Sequence, residues 1–288
     1  MNPADKTVLI DAIDRASREV TDGAGRRIRA IGDEAVRSIS ERWSLSVGDV
    51  YIAALRREIY PRRYLRNRDV IGTGEQIRLA RAAVAVAGAG GLGGHVIQLL
   101  ARIGVGRLVV ADHDVFDETN LNRQVLSASD AVGQSKISAV AASVAGINCG
   151  VDLTCFREKI TAATAAGIIR GCDVVVDALD TVRDRFILEA ASREQGIPLV
   201  HGALAGFEGR IMTIFPGDGG LKLLYGDGGD EGEGGAEQLL GVPSLTPAII
   251  ASLQAMEAVK IIVGRGAPFR DMMIYVDLEK GSMEQFRF

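Results

Sequence analysis

Hydrophobic residues in the middle of the chain fall into short continuous runs separated by a glycine-rich turn and a helical pattern. An apolar run, Ala82–Ala87, leads into the glycine-rich segment 88–94, and a helical repeat over His95–Ile103 precedes a second apolar run, Arg107–Ala111. Continuous apolar runs of this length are typical of strands buried on both faces of a parallel sheet. The pattern therefore predicts strand, turn, helix and strand, with Asp112 at the end of the second strand.

The same alternation continues toward the carboxyl terminus, and its last strands look antiparallel. The further strands and helices predicted are Val151–Phe156, Ala162–Ile169, Val174–Leu179, Asp184–Gln195, Leu199–His201, Arg210–Phe215, Thr246–Val263 and Met272–Leu278. Strands that alternate with helices build a sheet covered by helices on both faces. We therefore predict an α/β fold with a doubly wound, mainly parallel Rossmann-like sheet and antiparallel edge strands.

Residues 1–61 carry a different pattern, with charged and apolar residues at helical spacing. Ser46 and Asp49 resemble a capping box that opens a helix, and Pro61 ends it. We predict a small helical N-terminal extension over 1–61, with Ile28 and Ile31 among its core positions, and a nucleotide-binding domain over 62–288. The sequence of the extension shows no chemistry of its own.

Composition narrows the class of protein. The chain has 288 residues, 47% hydrophobic and 24% charged, with a formal net charge of -4. These values favour a globular cytoplasmic enzyme and make nucleic acid or an anionic membrane an unexpected partner. No apolar stretch reaches ~20 residues without a charge, as a membrane span would require. Three cysteines, Cys149, Cys155 and Cys172, are too few for a disulfide framework and are expected to be reduced thiols.

The glycine-rich segment carries the first candidate chemistry. Gly88, Gly90 and Gly93 fit the spacing G-x-G-x-x-G, which allows a tight turn, close approach of phosphate and close packing of helix on strand. Asp112 then falls where a ribose hydroxyl is bound. An ordinary glycine-rich turn is the plain alternative, and the fingerprint alone would also suit a dinucleotide-dependent oxidoreductase.

Three further features follow along the chain. Asp180 comes at the end of a predicted strand, where it is either a metal or substrate ligand or a plain strand-end residue. The basic run Arg62–Arg68 is either a solvated charge run or part of a phosphate site. His201 is interpreted as a polar residue with satisfied hydrogen bonds, and the Gly-rich, acidic segment Gly217–Gly235 as a mobile crossover or lid.

As a set, these residues resemble the ThiF/MoeB/HesA family, the bacterial relatives of ubiquitin-activating enzymes. The resemblance covers about residues 62–288. The matching segments, in the family's order and spacing, are Gly88–Gly93, Asp112–Asp114, Asn120–Gln124, Val132–Lys136, Asp177–Asp180 and Ser252–Ala258.

The resemblance implies an activity and its residues. Members bind ATP and magnesium and adenylate the C-terminal glycine of a small ubiquitin-like sulfur-carrier protein, with release of pyrophosphate. The implied nucleotide-binding residues are Gly88, Gly90, Gly91, Gly93, Asp112, Asp114, Asn120, Arg123, Gln124 and Lys136. Of these, Arg123 and Lys136 are also expected to be catalytic, together with Asp180, which would bind magnesium, and Arg66, which would reach the partner subunit's active site in a homodimer.

The chemistry of adenylation agrees with this set of side chains. When a carboxylate attacks the α-phosphorus, negative charge grows on the phosphate oxygens and on the pyrophosphate, so cations must already be in place. An NAD-dependent oxidoreductase needs no such cations. Two other interpretations remain open: activation of a different carboxylate, on tRNA or a peptide, and a nucleotide-binding module without catalysis.

The chain also departs from the family pattern. The paired cysteines that hold structural zinc in many members are missing, so no structural zinc is expected. Glu237 stands at the position of the family's reactive cysteine. We therefore expect the reaction to stop at the acyl-adenylate, which a separate sulfur donor would use.

Overall fold

The computed structural model describes residues 3–226 and 240–288, with side chains from Thr7 onward. The first part of the chain forms three helices and a three-stranded sheet. Its elements are α1 (Pro3–Ala16), β1 (Arg18–Thr21), β2 (Arg27–Ile31), α2 (Asp33–Trp43), α3 (Val47–Leu55) and β3 (Tyr60–Pro61). Strands β1 and β2 are antiparallel, and β3 pairs with β2 in parallel.

The sheet corrects the expectation that this region is helical throughout. Asp22 ends β1, and its carboxylate accepts hydrogen bonds from the N–H groups of Ala24 and Arg26, while Gly25 takes a φ of +79°. This turn reverses the chain, so Ile28 and Ile31 are buried side chains of strand β2 and not of a helix.

The capping prediction is confirmed: the Ser46 hydroxyl accepts the Asp49 N–H at 3.0 Å, directly before α3.

The remaining elements form an eight-stranded sheet flanked by helices. They are α4 (Thr73–Arg81), β4 (Ala83–Ala87), α5 (Gly91–Ile103), β5 (Arg107–Ala111), α6 (Lys136–Ile147), β6 (Asp152–Phe156), α7 (Ala165–Ile169), β7 (Val174–Asp177), α8 (Val182–Glu194), β8 (Leu199–Ala205), β9 (Glu208–Ile214), α9 (Lys222–Tyr225), α10 (Leu245–Val263), β10 (Met272–Asp277) and β11 (Ser282–Arg287).

The strand order is β11-β10-β9-β8-β7-β4-β5-β6. The five strands from β8 to β6 are parallel, and β9, β10 and β11 are antiparallel. The predicted doubly wound, mainly parallel sheet with antiparallel edge strands is therefore confirmed. The edge strand β11 was not predicted.

Successive residues of the central strands enter two cores on opposite faces of the sheet. Val84 and Val86 pack with residues of α5, α6 and α10, whereas Ala83, Ala85 and Ala87 pack with residues of α7 and α8. All five residues of β4 are buried for this reason. Strands covered on both faces read as continuous apolar runs, which is why the sequence revealed them.

Among the helices in the described part of the chain, α10 is long and apolar enough to cross a membrane by length and composition alone. In the fold it packs on α5 and β8, and 56% of its most apolar window is buried inside the protein. A core helix of an α/β sheet meets the same criteria.

The N-terminal region is attached to the main sheet through the segment that follows β3. Arg63 donates from Nη1 to the carbonyl oxygen of Ile147 at 2.7 Å, and Asn148 donates to the Tyr64 hydroxyl at 2.9 Å. Tyr64 itself belongs to the N-terminal hydrophobic cluster. These contacts fix the basic segment between the two parts of the chain.

Strand order reverses between β4 and β7, because the chain runs outward from β4 to β6 and then returns to the other side of β4. In open α/β sheets this reversal leaves a crevice at the carboxyl ends of the strands, where ligands bind. The turn at Gly88 follows β4 and residues 178–180 follow β7, so the fold brings the glycine turn and Asp180 to that crevice.

Candidate nucleotide-binding site

Two positions of the glycine turn, Gly88 and Gly93, are too crowded for any larger residue. Gly88 has a φ of +96°, and a Cβ placed on it would lie 2.5 Å from the carbonyl oxygen of Ala178. A Cβ on Gly93 would lie 1.9 Å from the carbonyl oxygen of Gly88. The turn therefore packs tightly both on Ala178, directly after β7, and on the first turn of α5. Gly90 is the N-cap of α5, and a helix N-terminus with free N–H groups attracts phosphate.

Asp112 lies at the end of β5 and stabilises this turn. It is 8% exposed, and its two carboxylate oxygens accept hydrogen bonds from the backbone N–H groups of Ala89, at 2.7 Å, and Asp114, at 2.8 Å. Each carboxylate oxygen can accept a second hydrogen bond. The carboxylate is thus held beside the glycine turn with acceptor capacity left for a ligand hydroxyl.

A cation lies next to Asp114. Lys136, the first residue of α6, is 6% exposed, and its Nζ lies 2.9 Å from the Asp114 carboxylate. Burial raises the pKa of Asp114, but the hydrogen bond and positive charge of Lys136 outweigh it and the pKa is lowered overall. The chain between the two residues folds back on itself, with a bridge between Val115 and Ser135.

The segment after Asp117 forms the wall beside the N-terminus of α5. A Cβ placed on Gly91 would lie 3.7 Å from Cγ of Arg123, and one on Gly90 would lie 3.7 Å from Nε2 of Gln124. The Arg123 guanidinium donates to the Thr119 carbonyl oxygen at 2.9 Å.

Asn120 and Gln124 are both buried in this wall, but their side-chain oxygens differ in hydrogen bonding. The Asn120 side-chain oxygen accepts the backbone N–H of Asp117 at 3.1 Å and so holds the segment's turn. The buried Oε1 of Gln124 has no hydrogen-bond partner among the described residues. Buried polar atoms are nearly always paired, so an unpaired one beside a phosphate-type turn is what a ligand site would contain.

Asp180 lies on the other side of the crevice, after β7. It is exposed, and Thr181, the next residue, caps α8 by accepting the Asp184 N–H at 3.2 Å.

Among the described residues, the carboxylates and imidazole that lie close enough to share a metal belong to Asp112, His113 and Asp114. Their carboxylates already bond the backbone and Lys136. The expectation of no structural zinc stays a prediction.

The predicted site residues thus fall into two groups. The glycine turn, Asp112, Asp114, Lys136, Arg123 and Gln124 are connected by the contacts above. Asp180 follows two residues after Ala178, on which Gly88 packs. Arg66 is apart from them: its guanidinium lies near Gly23 in the N-terminal region. Glu237 lies outside the described residues.

Arg66 belongs to a basic run whose other members are partly neutralised. Arg63 forms an ion pair with Asp33, and Arg68 pairs with Asp22. Arg66 is exposed. Part of the run is therefore structural, which neither the solvated-run nor the phosphate-site interpretation proposed, and Arg66 stays available to another molecule.

The three cysteines differ in burial. Cys172 is buried, whereas Cys149 and Cys155 are partly buried, and all three are free thiols. Burial raises the pKa of both Cys155 and Cys172. A raised pKa lowers the thiolate fraction and with it the nucleophilicity of these thiols at neutral pH.

Sequence reasoning missed residues that support the Asp180 side of the crevice. His201 is fully buried and bonded to Asp177 at 2.7 Å, which confirms its interpretation as a satisfied polar residue. Arg185 and Tyr225 complete that arrangement and were not singled out. The one available signal was the position of Arg185 on the first turn of the helix that follows Asp180.

Relatives share most of this chain. It is 37% identical over 209 residues to the "SAMP-activating enzyme E1" of Haloferax volcanii, a match that covers 73% of this chain and 77% of that protein. It is 33% identical over 221 residues to the "Sulfur carrier protein adenylyltransferase" of Thermus thermophilus, covering 75% and 82%. A third relative, mouse "Adenylyltransferase and sulfurtransferase MOCS3", is 35% identical, but the match spans only 47% of that protein.

The fold also matches a solved structure. That structure, E. coli MccB with ATP, aligns with a TM-score of 0.66 at 21% identity, over 78% of this chain and 70% of that chain. At this identity the likeness concerns the fold alone. The sequence pattern of the ThiF family matches residues 64–288, which include the glycine turn, Lys136 and Asp180, and the chain belongs to the ThiF family.

Proposed function

We propose that the chain is an ATP-dependent adenylyltransferase that activates the C-terminal glycine of a small ubiquitin-like sulfur-carrier protein, of the thiamine or molybdopterin type, as an acyl-adenylate. The names of the relatives support this reaction: one is a sulfur carrier protein adenylyltransferase and another a SAMP-activating E1. The products would be the carrier acyl-adenylate and pyrophosphate.

The observation that carries the proposal is the cluster of groups around the N-terminus of α5. Arg123 and Gln124 flank Gly90 and Gly91, and the buried ammonium of Lys136 lies on Asp114 nearby. The unpaired Oε1 of Gln124 supplies a free acceptor. A site for adenine nucleotide needs this combination of open N–H groups, cations and a carboxylate for ribose.

The reaction explains why these side chains occur together. A carboxylate oxygen of the carrier's terminal glycine forms a bond to the α-phosphorus, and the bond from that phosphorus to the bridging oxygen of pyrophosphate breaks. The electron pair leaves with pyrophosphate, so negative charge rises on oxygens that Arg123 and Lys136 would face. Preorganised cations stabilise such charge without reorganising. A magnesium ion held by Asp180 would add positive charge at the phosphates.

The remaining residues have binding roles in this proposal. Asp112 would accept a ribose hydroxyl, because its oxygens are held beside the turn with acceptor capacity left. Gly88, Gly90, Gly91 and Gly93 would let phosphate approach the backbone. Asp114 would keep the Lys136 ammonium in place, and Asn120 would hold the turn that carries Arg123.

The proposal extends to assembly and to the next step. The protein would act as a cytoplasmic homodimer in which Arg66 of one copy completes the site of the other, since Arg66 is exposed and lies apart from its own crevice. A separate sulfur donor would convert the acyl-adenylate.

Intact-mass spectrometry of the carrier after incubation with ATP and the enzyme tests this function. A carrier ending in Gly-Gly should gain one adenylate, and the same carrier without its last glycine should gain none. An adenylated tRNA or short peptide in place of the carrier would move the activity to a different carboxylate. ATP binding without any adenylated product would instead indicate a nucleotide-binding module.

A further inference from the structure

A closed ring of hydrogen bonds surrounds the backbone of Leu179, the residue directly before Asp180. The Leu179 N–H donates to Oδ1 of Asp177 at 3.0 Å. The Leu179 carbonyl oxygen accepts two hydrogen bonds from the Arg185 guanidinium, from Nε at 3.1 Å and from Nη2 at 2.7 Å. Both backbone polar groups of Leu179 are therefore bound by side chains.

Two aromatic side chains close the ring on the other side. His201 Nδ1 lies 2.7 Å from Oδ2 of Asp177, and His201 Nε2 lies 3.2 Å from the hydroxyl of Tyr225. Nη1 of Arg185 donates to that same hydroxyl at 3.1 Å. Four elements are thereby joined at one point: β7, α8, β8 and α9.

The protonation states of the ring are consistent with every bond in it. Burial lowers the pKa of His201 and outweighs the Asp177 carboxylate, which raises it. The imidazole of His201 is therefore neutral at pH 7. The Nδ1 proton is then donated to Asp177, and Nε2 accepts the proton of Tyr225. The Tyr225 oxygen accepts from Arg185. Each donor in the ring has an acceptor.

Three side chains of the ring are buried, and that of Tyr225 is partly buried. Asp177 and His201 are 0% exposed and Arg185 is 4% exposed. Replacing such a buried polar network by apolar residues is often neutral for stability or even favourable, whereas removing one member is costly. Fixed geometry is what a fully satisfied network adds.

We propose that His201 and Tyr225 are positioning residues that hold the backbone at Leu179 so that the Asp180 carboxylate points into the crevice. The inference rests on the proposed function, which gives Asp180 its role toward magnesium. Asp180 is exposed, and no described residue donates a hydrogen bond to it. Its direction is therefore set by the backbone that precedes it, and side chains that hold the backbone of a metal ligand tune metal binding.

Tyr225→Phe is the mildest change that opens the ring, because it deletes one hydroxyl and keeps the aromatic ring. Tyr51→Phe is the matched control: the Tyr51 hydroxyl is also buried in a hydrogen bond, to Asp33 at 2.8 Å, but in the N-terminal region. Each variant removes a hydroxyl that has two hydrogen-bond partners, His201 and Arg185 for Tyr225, and Asp33 and Cys149 for Tyr51. Only the first should affect Leu179.

The first readout needs no activity. Hydrogen exchange of the Leu179 amide should become about tenfold faster in Tyr225→Phe, because local opening then breaks fewer bonds, and should be unchanged in Tyr51→Phe. His201→Asn, which keeps a donor near Asp177, should give a smaller increase than His201→Ala. Equal exchange at Leu179 in Tyr225→Phe and the wild-type protein would overturn the proposal.

The second readout is the magnesium concentration needed for half-maximal pyrophosphate release. It should rise severalfold in Tyr225→Phe, with the KM for the carrier unchanged, and stay at the wild-type value in Tyr51→Phe. If Tyr225→Phe only lowers Tm while the magnesium requirement stays constant, the ring is merely structural. If the wild-type protein releases no pyrophosphate, the proposed function fails, and the exchange of Leu179 still decides whether the ring holds this backbone.

Discussion

The ammonium of Lys136 lies 2.9 Å from the carboxylate of Asp114, and the Lys136 side chain is 8% exposed whereas the Asp114 side chain is 47% exposed. The lysine is therefore held by one partner that itself faces solvent. The ammonium is therefore fixed in position by Asp114 and by its own burial in the fold. A cation fixed in this way is preorganised for phosphate and loses little water when the ligand arrives.

Lys136→Met should lower kcat for pyrophosphate release by about 100-fold or more, because one preorganised cation is lost from the transition state. Methionine keeps most of the buried apolar volume, so thermal unfolding should change little. Steady-state kinetics with ATP and carrier, together with a thermal melt, measure both effects. A kcat within a few-fold of the wild-type value would remove Lys136 from the catalytic set.

Gly93→Ala should destabilise the fold by more than about 2 kcal/mol through overpacking, because its Cβ would lie 1.9 Å from the Gly88 carbonyl oxygen. Gly146→Ala, on the exposed face of α6 with nothing within 4 Å of its Cβ, should instead stabilise the protein by about 0.5–1 kcal/mol. Urea unfolding of both variants gives the comparison. Similar stabilities for the two would contradict the tight packing of the turn.

The glycine turn and the strands show what a sequence can and cannot reveal. The spacing of Gly88, Gly90 and Gly93 predicted the turn, and two of these glycines, Gly88 and Gly93, meet a local steric demand. The buried strands were equally visible, since both of their faces meet helices. By contrast, β1 and β11 were missed because they are short or exposed and lack a run of apolar residues.

Contacts between distant parts of the chain were beyond the sequence. His201 and Asp177 are 24 positions apart, and nothing in either segment indicates that their side chains meet. The pairing of Lys136 with Asp114 likewise depends on how the chain folds back between them. The family resemblance supplied Asp114 and Lys136 but not His201, and the geometry supplied the contacts between them and their partners.

Asp180→Ala should abolish pyrophosphate release and leave the fold intact, because Asp180 is exposed and makes no core contact. Arg66→Ala should also be inactive if Arg66 serves the neighbouring copy. A mixture of the two inactive proteins should then regain part of the activity, since one site of each heterodimer would be free of both substitutions. No recovery after confirmed subunit exchange would place Arg66 in its own subunit's site.

The buried His201 should make stability depend on pH. Burial lowers its pKa from an ordinary value of 6.5. The unfolded chain therefore binds a proton that the folded protein does not, from about pH 6.5 down to the lowered pKa, and the free energy of unfolding should fall as pH falls through that window.

His201→Asn removes the titrating ring and should reduce this pH dependence, although the variant is less stable at every pH. Urea unfolding of the wild-type protein and the variant at about pH 7.5 and about pH 5.5 gives the two differences. An equal loss of stability in both proteins on acidification would show that His201 contributes nothing to it.

In the proposed reaction, this crevice transfers the adenylate of ATP to the C-terminal carboxylate of a sulfur carrier and releases pyrophosphate. Exchange of labelled pyrophosphate into ATP tests it most directly, because the label enters ATP only if the acyl-adenylate forms reversibly in the site. We predict exchange that requires both magnesium and a carrier ending in Gly-Gly, and that is lost in Lys136→Met. Exchange that proceeds equally well without any carrier, or no exchange with any Gly-Gly carrier alongside tight binding of NAD, would contradict the account.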